Sequence, residues 1–147
     1  MTTEYSVASL RLLGLDVGDR RVGVAVSDPT GLIASPVSVY RRTSPDSDVE
    51  HVASLVREYE ATAVVVGLPI NMDGSEGYQA EKTRQFADAL EKEGLSVIFW
   101  DERLSTMEAT RLLMEQRHTR KNIRSRIDAT AAALILQSYL DRVRSMR

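Results

Sequence analysis

The run Ala-Val-Val-Val-Gly-Leu at 63–68 constrains the fold of this chain more than any other segment. A continuous apolar run rich in β-branched residues is typical of a strand that is covered on both faces. Pro69 ends the run, because proline has no N–H group to donate to a neighbouring strand. A strand that is covered on both faces needs other layers of structure on each side of it, which favours an α/β fold.

Segments with helical spacing lie on both sides of this strand. Apolar residues recur at helical spacing over 47–60, and a second helix is predicted over 77–93, with its stop at Gly94. The apolar run 97–100 predicts another strand. The order strand, helix, strand, helix, strand predicts parallel neighbours that are joined by right-handed crossovers.

The first part of the chain predicts an antiparallel meander instead. Leu10–Val17 is predicted as a strand, the Gly18-Asp19 pair as a tight turn, and Val22–Ser27 as the antiparallel partner strand. A third strand is predicted over 37–41. The fold class is therefore α/β, with a five-stranded mixed sheet in which an antiparallel meander precedes parallel strands. Further helices are predicted over 105–116 and 127–143.

Length and composition fit one domain. The chain has 147 residues, of which 43% are hydrophobic and 27% charged. We expect a single domain over 10–147 and a disordered polar extension over 1–9. No run approaches the roughly 18 apolar residues of a membrane span, and no signal segment is evident, so we expect a cytoplasmic protein without a membrane partner. The sequence has no cysteine, which excludes disulfides and thiolate catalysis.

Asp16 is a candidate functional residue because it interrupts an apolar strand. A buried carboxylate is costly unless it is paired, hydrogen-bonded or bound to a cation. Two further candidates are Glu102, just after the strand 97–100, and Asp128, at the predicted start of the helix 127–143. Ligands in open α/β sheets gather beyond the carboxyl ends of the strands. Two divalent ions roughly 3.5–4 Å apart on such carboxylates would activate a water and stabilise the leaving oxygen of a phosphodiester.

Each carboxylate also has an ordinary structural interpretation. Asp128 could complement a helix dipole, and Glu102 could pair with Arg103. Asp101 is placed as well as Glu102, because side chains alternate faces along a strand. We assign Glu108 to structure, since the segment 105–108 fits a capping box.

Charge is unevenly distributed and favours a polyanionic partner. Residues 1–102 contain 9 Lys and Arg against 17 Asp and Glu, whereas 103–147 contain 10 against 4. The stretch 117–126 is basic, lacks acids and lacks helical apolar spacing, so we predict a mobile loop that binds nucleic acid. The alternative is a solvated positive surface. The candidate basic contacts in this stretch are Arg117, Arg120, Lys121, Arg124 and Arg126.

The loop 67–77 is a second candidate for nucleic-acid binding. It joins a buried strand to the start of a helix, where backbone N–H groups can hold a phosphate. Asn71 and Ser75 could add side-chain contacts, and Arg21 in the first hairpin is a further candidate. An ordinary Asp-Gly turn with a serine cap is the structural alternative.

Taken together, the motifs of this chain resemble the YqgF/RuvX family over about residues 10–140. They are Gly-Leu-Asp-Val-Gly at 14–18, Arg-Val-Gly-Val-Ala at 21–25, Gly-Leu-Pro through Asn-Met-Asp-Gly-Ser at 67–75, Asp-Glu-Arg-Leu-Ser-Thr at 101–106, and Ile-Asp at 127–128 with the Ala and Ile-Leu-Gln that follow. The resemblance implies a ribonuclease H-like fold and a metal-dependent nuclease. It also implies catalytic and metal-binding roles for Asp16, Glu102 and Asp128. The cofactor that it implies is a pair of Mg²⁺ or Mn²⁺ ions.

The chain departs from related patterns at two places. Many ribonuclease H-like nucleases have a carboxylate at the exit of the fourth strand, where this chain has Leu68-Pro69. The acid would here come from the fifth strand. A lysine often precedes the Ile-Asp pair within the family, and Arg126 replaces it, which keeps the charge but not the compact ammonium group.

The family is described both as a Holliday junction resolvase and as the nuclease that matures the 5′ end of pre-16S rRNA. We expect an endonuclease that acts on structured RNA, namely pre-16S rRNA, within a ribosomal precursor particle. Alternatives are a resolvase of branched DNA, which would be a homodimer rather than a monomer, and a non-catalytic RNA-binding module. Gly14–Gly18 also resembles the phosphate hairpin of actin-like ATPases, but those need two such domains.

Overall fold

A five-stranded mixed sheet in the order β3-β2-β1-β4-β5 organises the computed structural model, which describes residues 11–105 and 121–146. The strands β1, β2 and β3 are antiparallel neighbours, and β4 and β5 continue the sheet in parallel to β1. This arrangement confirms the predicted fold class. The elements are β1 (Leu12–Val17), β2 (Arg21–Ser27), β3 (Ala34–Arg41), α1 (Pro45–Tyr59), β4 (Ala63–Leu68), α2 (Tyr78–Lys92), β5 (Val97–Asp101), a short 3-10 helix (Glu102–Leu104) and α3 (Lys121–Ser145).

The starts of α1 and β3 lie before their predicted positions. The helix α1 begins at Pro45, two residues early, because the Ser44 hydroxyl accepts a hydrogen bond from the backbone N–H of Ser47 and proline fits the first helical position. The strand β3 begins at Ala34 rather than at residue 37. Its pairing with β2 continues across a register shift between Val24 and Ala25, so the early part of β3 lacks a regular apolar alternation.

The start of α3 was predicted wrongly. The helix begins at Lys121 and not at residue 127, so Lys121, Arg124 and Arg126 are helical rather than part of a loop. Arginine and lysine are good helix formers even where no apolar stripe marks the helix. Residues 1–9, the predicted helix 105–116 beyond Ser105, Arg117 and Arg120 lie outside the described residues.

The sheet separates two apolar cores. The core between one face of the sheet and α1 and α2 includes Leu15, Val66 and Phe86. The core between the other face and α3 includes Val65 and Ile135. Because side chains alternate along a strand, the residues of β1 that face α3 are Leu12, Gly14 and Asp16.

The helix α3 sits unusually close to β1. A Cβ atom on Gly14 would lie 2.8 Å from Leu136 Cβ and 3.0 Å from the carbonyl oxygen of Ala132, so only glycine fits there. Gln137 fixes the helix along its axis, since its side chain accepts from the Ala34 N–H at 2.8 Å and donates to the Leu32 carbonyl at 2.9 Å.

Within 11–105 and 121–146, no helix is both long and apolar enough to cross a membrane.

A buried ion pair joins the β3–α1 connection to α1. Asp48 is 2% exposed and accepts hydrogen bonds from Arg42 Nε at 3.0 Å and from the Thr43 N–H at 3.1 Å. We expect Asp48→Ala to lower the free energy of unfolding by about 2–4 kcal/mol, because it leaves partly buried donors without their acceptor. Urea denaturation measures this change.

Glu50→Ala is the matched control for Asp48→Ala. Glu50 pairs with Arg57 on the same helix, but both side chains are well exposed, so its loss should cost under about 1 kcal/mol. Equal losses in the two variants would contradict a structural role of the buried pair.

Candidate active site

Asp16 lies near the end of the central strand and faces α3. It is 7% exposed, as the interruption of an apolar strand predicted. Its antiparallel partner is Gly23 on β2, and on the other side the β1–β4 register ends at Leu15 opposite Val66. The next residue of β4, Gly67, therefore lies beside Asp16, one strand spacing or about 4.8 Å away.

Glu102 reaches back over the sheet toward this position. A Cβ atom on Gly67 would lie 2.9 Å from Glu102 Oε2 and 3.2 Å from Glu102 Cγ. The carboxylate of Glu102 therefore occupies the space that any other residue at 67 would fill. Since Gly67 neighbours Asp16, two acidic side chains from distant parts of the chain lie over neighbouring strands on one face of the sheet.

Gly67 is a position of the candidate site whose close contacts the sequence analysis missed. The same missing Cβ atom would also lie 2.5 Å from Ile135 Cδ1 of α3. A glycine inside an otherwise β-branched strand marks a close approach of other atoms, and this was the signal that could have identified it.

Asp101, the alternative to Glu102, is engaged elsewhere. Its carboxylate accepts from Arg103 Nη2 at 2.8 Å and from the Arg103 backbone N–H at 2.8 Å. These hydrogen bonds from Arg103 hold the pKa of Asp101 below its usual range. Arg103 therefore pairs with Asp101 rather than with Glu102, contrary to the structural interpretation of Glu102 considered above.

The third predicted carboxylate belongs to α3. Asp128 is the eighth residue of that helix, so the alternative in which it complements the helix dipole from the first turn is wrong. It precedes Ala132, whose carbonyl oxygen lies over Gly14, by four residues or about 6 Å of helix. The step from Gly14 to Asp16 is about 6.6 Å along β1.

The direction of α3 places position 128 toward the end of β1. Leu140, further along α3, packs in the cluster that also covers Leu12 at the start of β1. The helix therefore runs antiparallel to β1, and its backbone at position 128 lies toward Asp16.

The side chains at 11–105 and 129–146 alone do not complete a metal site. Among them, no group of three His, Asp or Glu side chains could hold an ion. Asp16 and Glu102 supply two carboxylates, which are the hard oxygen ligands that Mg²⁺ and Mn²⁺ prefer. A third ligand from α3 would be needed to complete the set.

The loop between β4 and α2 is ordered by its own polar side chains. Asn71 Nδ2 donates to Ser75 Oγ at 3.0 Å, and Ser75 Oγ donates to Asp73 Oδ1 at 2.6 Å. The hydroxyl and N–H of Ser75 hold the pKa of Asp73 below its usual range. The helix α2 that follows is capped by Gly77 without a side-chain hydrogen bond, so Ser75 is not a helix cap.

Arg21 begins β2 at the same end of the sheet as Asp16. It lies directly opposite Arg41 of β3. Of the five basic candidates at 117–126, Lys121, Arg124 and Arg126 lie in the first turns of α3, toward the same end of the sheet.

Two solved structures of other proteins share this fold. T. thermophilus RuvC in complex with Holliday junction substrate aligns with a TM-score of 0.59, over 92% of this chain and 96% of that chain, at 15% identity. Fowlpox virus resolvase with Holliday junction DNA aligns with a TM-score of 0.54, over 90% and 98%, at 13% identity. These likenesses define the class of fold as ribonuclease H-like.

Sequence relatives identify the family within that class. The family model RuvX, described as Holliday junction resolvase, matches residues 10–142. A protein of Halothermothrix orenii named "Putative pre-16S rRNA nuclease" is 49% identical over 90% of this chain and 95% of its own length. A Myxococcus xanthus protein of the same name is 50% identical over 90% and 88%. The chain belongs to the RuvX family of nucleases, as its motifs predicted.

Proposed function

We propose that this nuclease is a divalent-metal-dependent endonuclease of the cytoplasm that cleaves pre-16S rRNA at its 5′ end. One observation carries the proposal: the Glu102 carboxylate lies over Gly67, beside Asp16. The names of the relatives at 49% and 50% identity support the choice of rRNA as substrate. A single domain over 10–147 would contain the whole site.

Asp16, Glu102 and Asp128 would hold the ions. The donor set fits Mg²⁺ or Mn²⁺, because all three ligands are carboxylates and the sequence has no cysteine. Two ions, when bound, would lower the pKa of a water and neutralise charge on the leaving oxygen. The fold itself fixes the positions of the ligands, since Asp16 lies on the central strand and α3 packs closely against Gly14.

Basic residues around the site would bind the phosphate backbone of the substrate. We assign this role to Arg21 and to Arg117, Arg120, Lys121, Arg124 and Arg126. Asn71 and Ser75 would add contacts from the β4–α2 loop. Ser75 accepts one hydrogen of the Asn71 side-chain amide. The second hydrogen and Oδ1 of that amide would contact the substrate.

Branched DNA is the second candidate substrate, because the family model is described by that activity. Resolution of a junction requires two symmetric cuts and hence a homodimer, whereas cleavage of rRNA, free or in a ribosomal precursor particle, would need only a monomer. An RNA-binding module without cleavage is the third candidate, and it requires no metal.

The carboxylates should be essential for metal-dependent cleavage. We expect Asp16→Asn, Glu102→Gln and Asp128→Asn each to lower the cleavage rate by about 100-fold or more, because residues that only support metal ligands already cost about 10- to 100-fold. Purified protein is incubated with a 5′ fragment of pre-16S rRNA and with a four-way DNA junction, in Mg²⁺, Mn²⁺ or EDTA. The substrate that is cut decides between RNA and DNA.

Asp101→Asn is the control for these variants. It removes a neighbouring carboxylate that pairs with Arg103, and asparagine still caps the short helix that follows. It should retain activity. Cleavage that persists in Asp16→Asn or Glu102→Gln, or that survives EDTA, would refute the proposed site.

The position of Glu102 over Gly67 has a separate test. We expect Gly67→Ala to lower cleavage and also to destabilise the fold by about 1–3 kcal/mol, because the new methyl group meets both Glu102 and Ile135. Ile135→Val removes the Cδ1 atom at 2.5 Å, so the double variant should regain stability but not cleavage. Recovery of both properties would show that Glu102 need not lie over Gly67.

Binding by the basic turns of α3 should depend on salt. Lys121→Gln/Arg124→Gln should weaken RNA binding and reduce the slope of log K against log salt by up to about 1.4–1.8, since each lost phosphate contact removes about 0.7–0.9. The control is Arg142→Gln/Arg144→Gln, which removes equal charge about 30 Å away on the same helix. Equal changes in the two variants would indicate a general charge effect.

A further inference from the structure

We propose that a cleft between α1 and α2, on the opposite face of the sheet from Asp16, binds single-stranded RNA that leaves the active site. The cleft has a volume of about 660 Å³ and is lined by the β1–β2 turn, the β3–α1 connection and α2. A cleft of this size holds a small ligand or a short length of one strand. The inference rests on the proposed function and extends it to the part of the substrate beyond the cut.

The lining of the cleft is cationic within an acidic part of the chain. Residues 1–102 have only 9 Lys and Arg against 17 Asp and Glu. Four of these cations line the cleft together with two acids. They are Arg20, Arg41, Arg42 and Lys82, with Asp19 and Asp48.

Three of the four cations are available to bind an anionic ligand. Arg42 is neutralised by Asp48 and also donates to the Gly18 carbonyl, so it builds the wall of the cleft. Arg20, Arg41 and Lys82 are exposed, and none of the three side chains has an ion pair within 11–105 and 121–146. Besides Asp48, the acid in the lining is Asp19, so three cations stand against one further acid, and this excess of positive charge favours an anionic ligand such as a phosphate chain.

The cleft and the carboxylates lie at the same end of the sheet, where β1 ends and β2 begins. Val17 follows Asp16, and its carbonyl oxygen accepts a hydrogen bond from Gln79 Nε2 at 3.2 Å, which docks the first turn of α2 on the end of β1. The turn that contains Arg20 follows directly. An RNA strand that passes from Asp16 over this end of the sheet therefore reaches the opening of the cleft.

Tyr78 adds a surface on which a base could stack. It begins α2, is 66% exposed, and its ring lies under Lys82 with Nζ 5.3 Å from the centroid. A cationic groove beside an exposed aromatic ring is the usual combination for binding single strands, in which phosphates and unpaired bases are both accessible. The bases of a duplex stay stacked on one another, so none of them is available to stack on the Tyr78 ring.

The test measures binding in EDTA, so that cleavage plays no part. RNA duplexes carry 5′ or 3′ single-stranded tails of zero, about four or about eight nucleotides, and fluorescence anisotropy gives the Kd. We expect a tail of one polarity to tighten binding by about tenfold. Arg41→Gln/Lys82→Gln should remove this gain and leave the Kd of the tailless duplex unchanged. Tyr78→Ser should weaken tail binding by about fivefold or more, and Tyr78→Phe should restore it.

Arg57→Gln/Lys92→Gln is the matched control, because it removes equal charge from the far ends of α1 and α2. It should keep the full gain from the tail. The inference is overturned if no tail tightens binding, or if Arg41→Gln/Lys82→Gln keeps the gain. If tail binding behaves as expected but neither substrate is cut in Mg²⁺ or Mn²⁺, the proposed nuclease function fails while the RNA cleft stands.

Discussion

The close contact between α3 and the sheet is the constraint on which the rest of the structure depends. Two glycines make it possible, since side chains on Gly14 or Gly67 would overlap Leu136 and Ile135. With these positions empty, the helix backbone rests almost directly on the two central parallel strands. The gap at Gly67 also decides where an acidic side chain can lie, because the Glu102 carboxylate occupies the space above Gly67 that α3 leaves free.

This arrangement brings acidic side chains to the place where the proposed cation would bind. Asp16 is almost fully buried, and Glu102 is held close to the strand beside it. A divalent ion bound by these carboxylates and by Asp128 of α3 would link the sheet to the helix. In the proposed site, metal binding and the docking of α3 would therefore stabilise each other, because an ion that binds only the folded chain shifts the folding equilibrium.

The sequence predicted the parts of the molecule that depend on local pattern. The strand at 63–68, the helix stop at Gly94 and the antiparallel pairing of β1 with β2 are set by side-chain periodicity and turn residues, and the structure confirms them. The start of α3 could not be predicted, since its first turns are basic and their helical state leaves no apolar stripe. The choice between Asp101 and Glu102 was also open, because it depends on Arg103 and on the gap at Gly67, which only the assembled sheet shows.

The contact between Gln137 and Ala34 has a consequence for the timing of assembly. It joins residues 103 positions apart, and α3 follows all five strands in the chain. During synthesis the sheet residues emerge first, while the helix that would supply Asp128 arrives later and must close a long loop to dock. A ribosome-bound chain that ends before Asp128 would thus hold only two of its three carboxylates. In the proposed enzyme, cleavage activity would be acquired only once α3 has been synthesised and has docked, so an incomplete nascent chain would not cleave the RNA that surrounds it.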